Sequence, residues 1–469
     1  MKNRKLNIFL ILFMISISLF LLIFFKVDLD YFWHIKAGEY MFKNGPITHD
    51  VFSWIIKGKY WMSHEWMFEI ILFILKKIFG NLHTIIYCFI CLISLFLLLY
   101  FSNKKNIQKN IPFTLVYFSF FVLLSVSFIQ ARPYMISFIF VCISIYFLYD
   151  LYKNKESKKI YFLPLISIVW ANIHGGSSNM GYLLCLLFYI FGLFSFKYKK
   201  IESNRLSKKQ LNKYLLVMFL CMIGVCINIH GFKMFLYPYT NMLDSTMINN
   251  IMEWQSTSLN NIFHYSYFLF ILIIFLVLLF SDKKIELIDL VLFGLCVYLG
   301  LKSVRFWLYT PIIMNYVIFN YVNNTNVNNS NYGFISIICI FLVGCFIFNF
   351  NRIVNIKYKT NIDNKLVDII NKESPKRLFN MYDYGGELIY NNIYVFVDGR
   401  ADLYSKYNYK DYLNISKLKD DYVKLINKYD FDYLLVNSNY PINTYLNYND
   451  NYEVIYKNKN ILLYKKIVN

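Results

Sequence analysis

The chain has 469 residues, of which 58% are hydrophobic, 20% aromatic and only 16% charged. That composition excludes an ordinary soluble globular domain, and the longest apolar runs reach the roughly 20 residues that cross a bilayer as a helix. The net charge of +20 does not point to nucleic acid, because most lysines fall in short loops between apolar runs, where positive charge sets membrane orientation.

Lys2, Arg4 and Lys5 precede the run "LNIFLILFMISISLFLLIFF". Its core is too long for a secretory signal and no small-residue cleavage site follows, so it reads as an uncleaved anchor. The chain leaves it through "KVDLDYFWHIKAGEY", residues 26–40. One reading makes Asp30 the cap of a helix from Tyr31 to about Lys43, ended by Gly45. The other has Asp28 and Asp30, two apart in an extended segment, converging on one cation or substrate, with His34 one helical turn on facing the same site. "SHEWMFEIILFILKKIFG", 63–80, has an apolar stretch short for a span and reads as a re-entrant or interfacial helix. Ser63 is its expected cap, and His64 and Glu65 open it.

Further apolar runs predict spans near 82–101, 112–130, 134–150, 160–172, 179–196, 214–231, 265–280, 285–301, 306–321 and 333–350, about eleven with the first, near 6–25. The basic loops at the N-terminus, 103–110, 152–159, 197–213 and 281–284 then share one side, the expected cytoplasm. On the other side fall Asp28, Asp30, His34, His64, Glu65, Arg132, "NIHGG" with His174, "NIHG" with His230, "EW" with Glu253, Arg305, and everything after residue 350. The nine cysteines (Cys88, Cys91, Cys142, Cys185, Cys221, Cys226, Cys296, Cys339 and Cys345) all lie in apolar runs and read as small hydrophobes, not a disulfide framework.

The expected organisation is therefore a membrane part over 1–350, with an outer loop and re-entrant helix at 26–81, and an extracytoplasmic α/β domain over 351–469. In that domain "KRLFNMY", "YVFVDGR", "DYLLVNS", "YEVIYKN" and "NILLYKK" read as strands, with helices near 385–391, 408–428 and 441–448. The last two strands form a hairpin turned by "KNKN". Asp398, Arg400 and Asp402 end the "VFVDGRAD" strand, where α/β sheets often hold ligands. The competing reading is an internal Arg–Asp pair that fixes the loop or docks the domain. Arginines at span ends, Arg132 and Arg305, bind phosphate or snorkel to headgroups. His174 and His230 either serve the ends of their helices or join those arginines in a polar funnel.

The ordered set "DLDYFWHIKAGEYMFKNGPITHDVFSW", "SHEW", "ARP" (131–133), "WANIHGG", "NIHGFKMFLYP", "EWQS" and "YDYGGELI…VFVDGRADLY" resembles a group of bacterial polytopic membrane proteins related to the GT-C glycosyltransferases. The resemblance covers most of the chain. It implies a polyprenyl-phosphate-linked sugar donor at the outer membrane face and an acidic motif in the first outer loop, the position of Asp28 and Asp30. "YDYGG" is similar to the Trp-Trp-Asp-Tyr-Gly motif of oligosaccharyltransferases, with Met381 and Tyr382 standing where the tryptophans would be.

The expectation is an inverting glycosyltransferase of the bacterial plasma membrane, among membrane lipids, acting on a cell-envelope glycan, lipid or protein acceptor. Asp28, Asp30 and Glu65 are its expected catalytic carboxylates, with Asp28 and Asp30 also the candidate ligands of Mg²⁺ or Mn²⁺. His34, His64, Arg132, His174, His230, Glu253, Arg305, Asp398 and Arg400 are its expected substrate-binding residues. The alternatives are a flippase for lipid-linked glycans and a non-catalytic assembly protein of the same fold. A flippase should place ionisable groups at mid-membrane, and the span interiors are nearly free of charge.

Overall fold

The computed structural model describes residues 2–242, 254–323, 329–355 and 360–467. They fall into two compact units, one built on Met1–Lys26, Ile78–Tyr239 and Ile251–Ile356, the other on Val27–Lys77 and Lys357–Asn469.

The first unit is a helical assembly. Among the described residues of the chain, seven apolar helical segments are long enough to cross a membrane: Arg4–Phe24, Trp66–Ser102 (of which Trp66–Lys77 belongs to the second unit), Ile111–Phe128, Tyr134–Lys153, Lys208–Cys226, Ile262–Phe280 and Tyr332–Val354. Each holds one of the eleven expected spans. The four remaining expectations fall on shorter helices: Leu163–Ile173 with 11 residues, Met180–Gly192 with 13, Leu287–Lys302 with 16 and Tyr309–Val317 with 9. Local chemistry sets several boundaries. Asn110 accepts the Phe113 N–H at 3.0 Å ahead of Pro112, and Ser207 with Gln210 forms a reciprocal capping box. The segment from Trp66 to Ser102 is two helices, Trp66–Phe79 and His83–Ser102, parted by a turn at Gly80–Leu82. Gly80 takes φ +56°, which glycine adopts without Cβ strain.

The basic connection at 197–213, read from sequence as a plain loop, contains strands. β1 (Phe196–Tyr198) and β2 (Ile201–Ser203) form a hairpin, and β3 (Ile285–Glu286) pairs parallel to β2.

The second unit carries a four-stranded sheet of β4 (Leu378–Asn380), β5 (Tyr433–Asn437), β6 (Tyr452–Lys457) and β7 (Ile461–Lys466), in the order β4-β5-β7-β6. β4 and β5 run parallel and the other pairs antiparallel, so the expected β6–β7 hairpin is present. Helices at Asn364–Glu373, Gly385–Tyr390, Tyr409–Ser416, Tyr422–Tyr429 and Pro441–Asn447 accompany the sheet. Asp363 caps the first of these by accepting the Leu366 N–H at 2.8 Å.

Residues 27–77, read from sequence as an outer loop and re-entrant helix, fall in the second unit, where Trp33, Met41 and Trp61 join Phe379, Phe396 and Leu434 in one buried cluster. One expected strand needs correction. The "YVFVDGR" stretch is not a sheet strand. The Asn380 side chain takes the place of a strand partner, accepting the Phe396 N–H at 2.8 Å and donating to the Val397 carbonyl at 2.7 Å. Across from it, Val395 exchanges hydrogen bonds with Phe52 and Trp54 through a single bridge at Ser53.

Candidate functional site

In the second unit the helix Tyr31–Asn44 begins after a tight turn. The Asp28 carbonyl accepts the Tyr31 N–H at 3.2 Å, and Asp28 Oδ1 accepts the Asp30 N–H at 3.3 Å. Asp30 is helical, at φ −73° and ψ −15°, and makes no side-chain capping bond. The two aspartates therefore sit on a turn that enters the helix and not on a continuous extended segment. Asp28 instead turns one oxygen onto its own backbone turn. Asp30 Oδ1 lies over Gly399, where an added Cβ would come within 1.8 Å of it and 2.8 Å of Trp33 Nε1. The expected helix stop is present: Gly45, at φ +85°, donates its N–H to the Met41 carbonyl at 2.9 Å.

His34 is fully buried. Its Nδ1 lies 3.3 Å from Glu69 Oε1 and its Nε2 3.7 Å from Glu65 Oε2, while its ring stacks on Trp33 at 3.8 Å. Glu65 and Glu69 stand one turn apart, joined by the Glu69 N–H to Glu65 carbonyl bond at 3.1 Å, so both carboxylates face the same way. The helices meet closely because position 38 is glycine. A Cβ there would sit 2.1 Å from the Glu69 carbonyl oxygen. Gly38→Ala should lower stability by about 1–3 kcal/mol and loosen the His34–glutamate contacts, read as a lowered thermal midpoint; an unchanged midpoint would refute the close approach.

Beyond Glu65 the chain of ionisable groups continues. His64 Nε2 is 3.2 Å from Glu65 Oε1 and its Nδ1 3.8 Å from Asp402 Oδ2. Burial pulls the His64 imidazole down, but the Glu65 and Asp402 carboxylates outweigh it and leave His64 more readily protonated than a free histidine. Ser63, the expected cap, makes no hydrogen bond through its buried hydroxyl.

Arg400 sits in the same unit, and its partners bear on the two sequence readings. Its guanidinium is fully buried, with Nη1 donating to Asp50 Oδ1 at 2.6 Å, Nη2 to Asp398 Oδ2 at 2.6 Å and Nε to Asp398 Oδ1 at 2.8 Å. Trp61 and Tyr404 cover its face at 4.6 and 5.6 Å. Asp398 also accepts the Tyr404 hydroxyl at 2.6 Å. These bonds favour the reading in which Arg400 and Asp398 lock this loop from within. "YDYGG" belongs to the same lock. Tyr382 donates its hydroxyl to the Gly399 carbonyl at 3.0 Å, and a Cβ on Gly385 would meet the Val397 carbonyl oxygen at 2.3 Å.

In the first unit the expected residues form a second centre. His174 is buried with Nδ1 at 2.6 Å from Ser137 Oγ and 2.8 Å from Ser177 Oγ, and Trp170 Nε1 donates to Ser137 Oγ at 2.8 Å. Arg305 Nη2 approaches His174 Nε2 at 3.5 Å and stacks on Trp254 at 5.0 Å. The two "NIH" stretches are clasped by their asparagines. Asn228 Nδ2 donates to the Ala171 carbonyl at 2.9 Å and to Asn172 Oδ1 at 3.0 Å, and Asn172 Nδ2 donates to the Ile227 carbonyl at 2.9 Å. His230 is buried, its N–H held by Asn228 Oδ1 at 2.9 Å. Arg132 is half-buried and its carbonyl accepts the Tyr87 hydroxyl at 2.8 Å. Glu253 lies outside the described residues.

Sequence reasoning missed Glu69 and Asp50, although spacing offered a signal for the first: "HEWMFE" sets its two glutamates four apart. Among the described residues, the histidine, cysteine and carboxylate side chains that gather as a group of three within reach of one ion are His34, Glu65 and Glu69; Asp28 and Asp30, the pair expected to hold one, are in no such group. Compared with known protein families and with curated proteins, the chain matches none.

Proposed function

We propose that the protein is an inverting membrane glycosyltransferase of GT-C type that moves a sugar from a polyprenyl phosphate to a hydroxyl of a cell-envelope acceptor. The observation that carries this reading is Arg305, a guanidinium held by Trp254 and His174 beside apolar helices, which suits the phosphate of a lipid-borne donor. In the reaction the acceptor oxygen attacks the anomeric carbon, the bond from that carbon to the phosphate oxygen breaks, and the carrier leaves as polyprenyl phosphate. Arg305 neutralises the charge that develops on the phosphate. The acceptor proton passes to a carboxylate, and Asp30, half-buried in its own unit, is the candidate read from the sequence. Glu65 is the poorer base, since a histidine faces each of its oxygens.

Deleting the protein tests the reading: one class of envelope glycan should disappear and its carrier-linked sugar accumulate. Unchanged glycans and carrier pools would refute it.

The same reading takes the four shorter helices as spans, making eleven in a bacterial plasma membrane, with the N-terminus cytoplasmic and the unit after residue 350 extracytoplasmic. The positive charge of the loops supports this orientation. An Asp420→Cys thiol should react with an impermeant maleimide in intact cells, against a background of native cysteines that are buried or half-buried. Labelling only after permeabilisation would reverse the orientation.

A further inference from the structure

We propose that His34, Glu65 and Glu69 bind one divalent transition-metal ion that staples the helix Tyr31–Asn44 to the helix Trp66–Phe79. The site stands apart from the transferase reading and does not depend on it.

One atom from each of the three side chains lies within 4.8 Å of the others. His34 Nε2 lies 3.7 Å from Glu65 Oε2 and its Nδ1 3.3 Å from Glu69 Oε1, so an ion would take one ring nitrogen, and a small turn of a side chain would bring the three ligand atoms to bonds of about 2.0–2.2 Å. Glu69 is 1% exposed, and its Oε2 has no hydrogen-bond partner. A buried carboxylate oxygen without a donor is costly, and a cation satisfies it. Two carboxylates and a neutral imidazole also balance the ion's two positive charges.

The outer shell has the form metal sites use. His64 Nε2 lies against the other oxygen of Glu65, and Asp402 against the far nitrogen of His64, which orients the Glu65 carboxylate. One nitrogen with two carboxylates suits Mn²⁺, Fe²⁺ or Zn²⁺ better than Ca²⁺, which takes roughly 6–8 oxygens. His34 is 0%, Glu69 1% and Glu65 8% exposed, so the ion would be shielded from bulk solvent, with the position that three protein ligands leave open filled by a water.

The test uses the full chain purified in detergent, stripped with chelator and dialysed against Zn²⁺. One tightly held equivalent per chain is expected, with a raised thermal midpoint. Glu69→Gln should weaken binding more than about 100-fold and abolish the Zn²⁺-induced shift, while His64→Gln, in the outer shell, should weaken it about 10–100-fold. A second measurement needs no variant: Mn²⁺ bound to the wild-type chain should show spin-echo modulation from a single imidazole nitrogen. Wild-type protein that retains no ion above a no-protein control would overturn the proposal. So would a folded Glu69→Gln chain that binds Zn²⁺ as tightly as wild type, or bound Mn²⁺ without nitrogen modulation.

Discussion

Arg400→Met should destabilise the second unit by about 3–5 kcal/mol, because it removes one partner of a buried ion cluster and leaves the other charges uncompensated. Asp50 and Asp398 are both fully buried and both bonded to this guanidinium, so without it two carboxylates would face each other away from water. Whole domains are stable by only about 5–15 kcal/mol, so the loss takes a large share and should appear as rapid proteolysis within 360–467 and a lowered thermal midpoint. Lysine should not rescue it, since one ammonium cannot reproduce the guanidinium's fork onto two carboxylates. A stable Arg400→Met chain that had lost only its activity would return Arg400 to the substrate-binding role read from sequence.

Asp30→Asn should reduce sugar transfer by about 10²–10⁴-fold, the usual contribution of a catalytic base, while leaving folding and membrane insertion intact. Asparagine keeps the size of the side chain lying over Gly399. It also leaves the start of the helix unchanged, because Asp30 makes no capping bond through its side chain. Transfer rates at matched expression separate the two roles. Activity within a few-fold of wild type would reduce Asp30 to a packing group.

Local features of this chain were readable in advance. The Tyr31–Asn44 helix and its Gly45 stop, the β6–β7 hairpin and most of the long apolar helices follow from short-range patterning, which acts over a few residues. What escaped depends on partners far apart in sequence. Asp50 pairs with Arg400 across 350 positions, and Trp54 Nε1 donates to the Leu378 carbonyl across 324. No periodicity in 27–77 announces that it belongs with the C-terminal sheet. "VFVDGR" has the composition of a strand, but its hydrogen bonds go to the Asn380 side chain and to 52–54, so tertiary context overrides propensity. Glu69 was hidden inside an apolar run, and only the fold brings His34 to it. The histidines of the "NIH" pair drew the functional reading, yet the asparagines beside them make the contact.

The most direct test of the transferase reading follows a radiolabelled sugar in membrane vesicles prepared with wild-type protein, with Asp30→Asn, or without the protein. Each preparation is supplied with the cell's own polyprenyl-phosphate-linked sugars. Label should pass from the lipid carrier to an envelope acceptor, with release of polyprenyl phosphate, only in wild-type vesicles. Equal transfer in all three preparations would contradict a glycosyltransferase function for this chain.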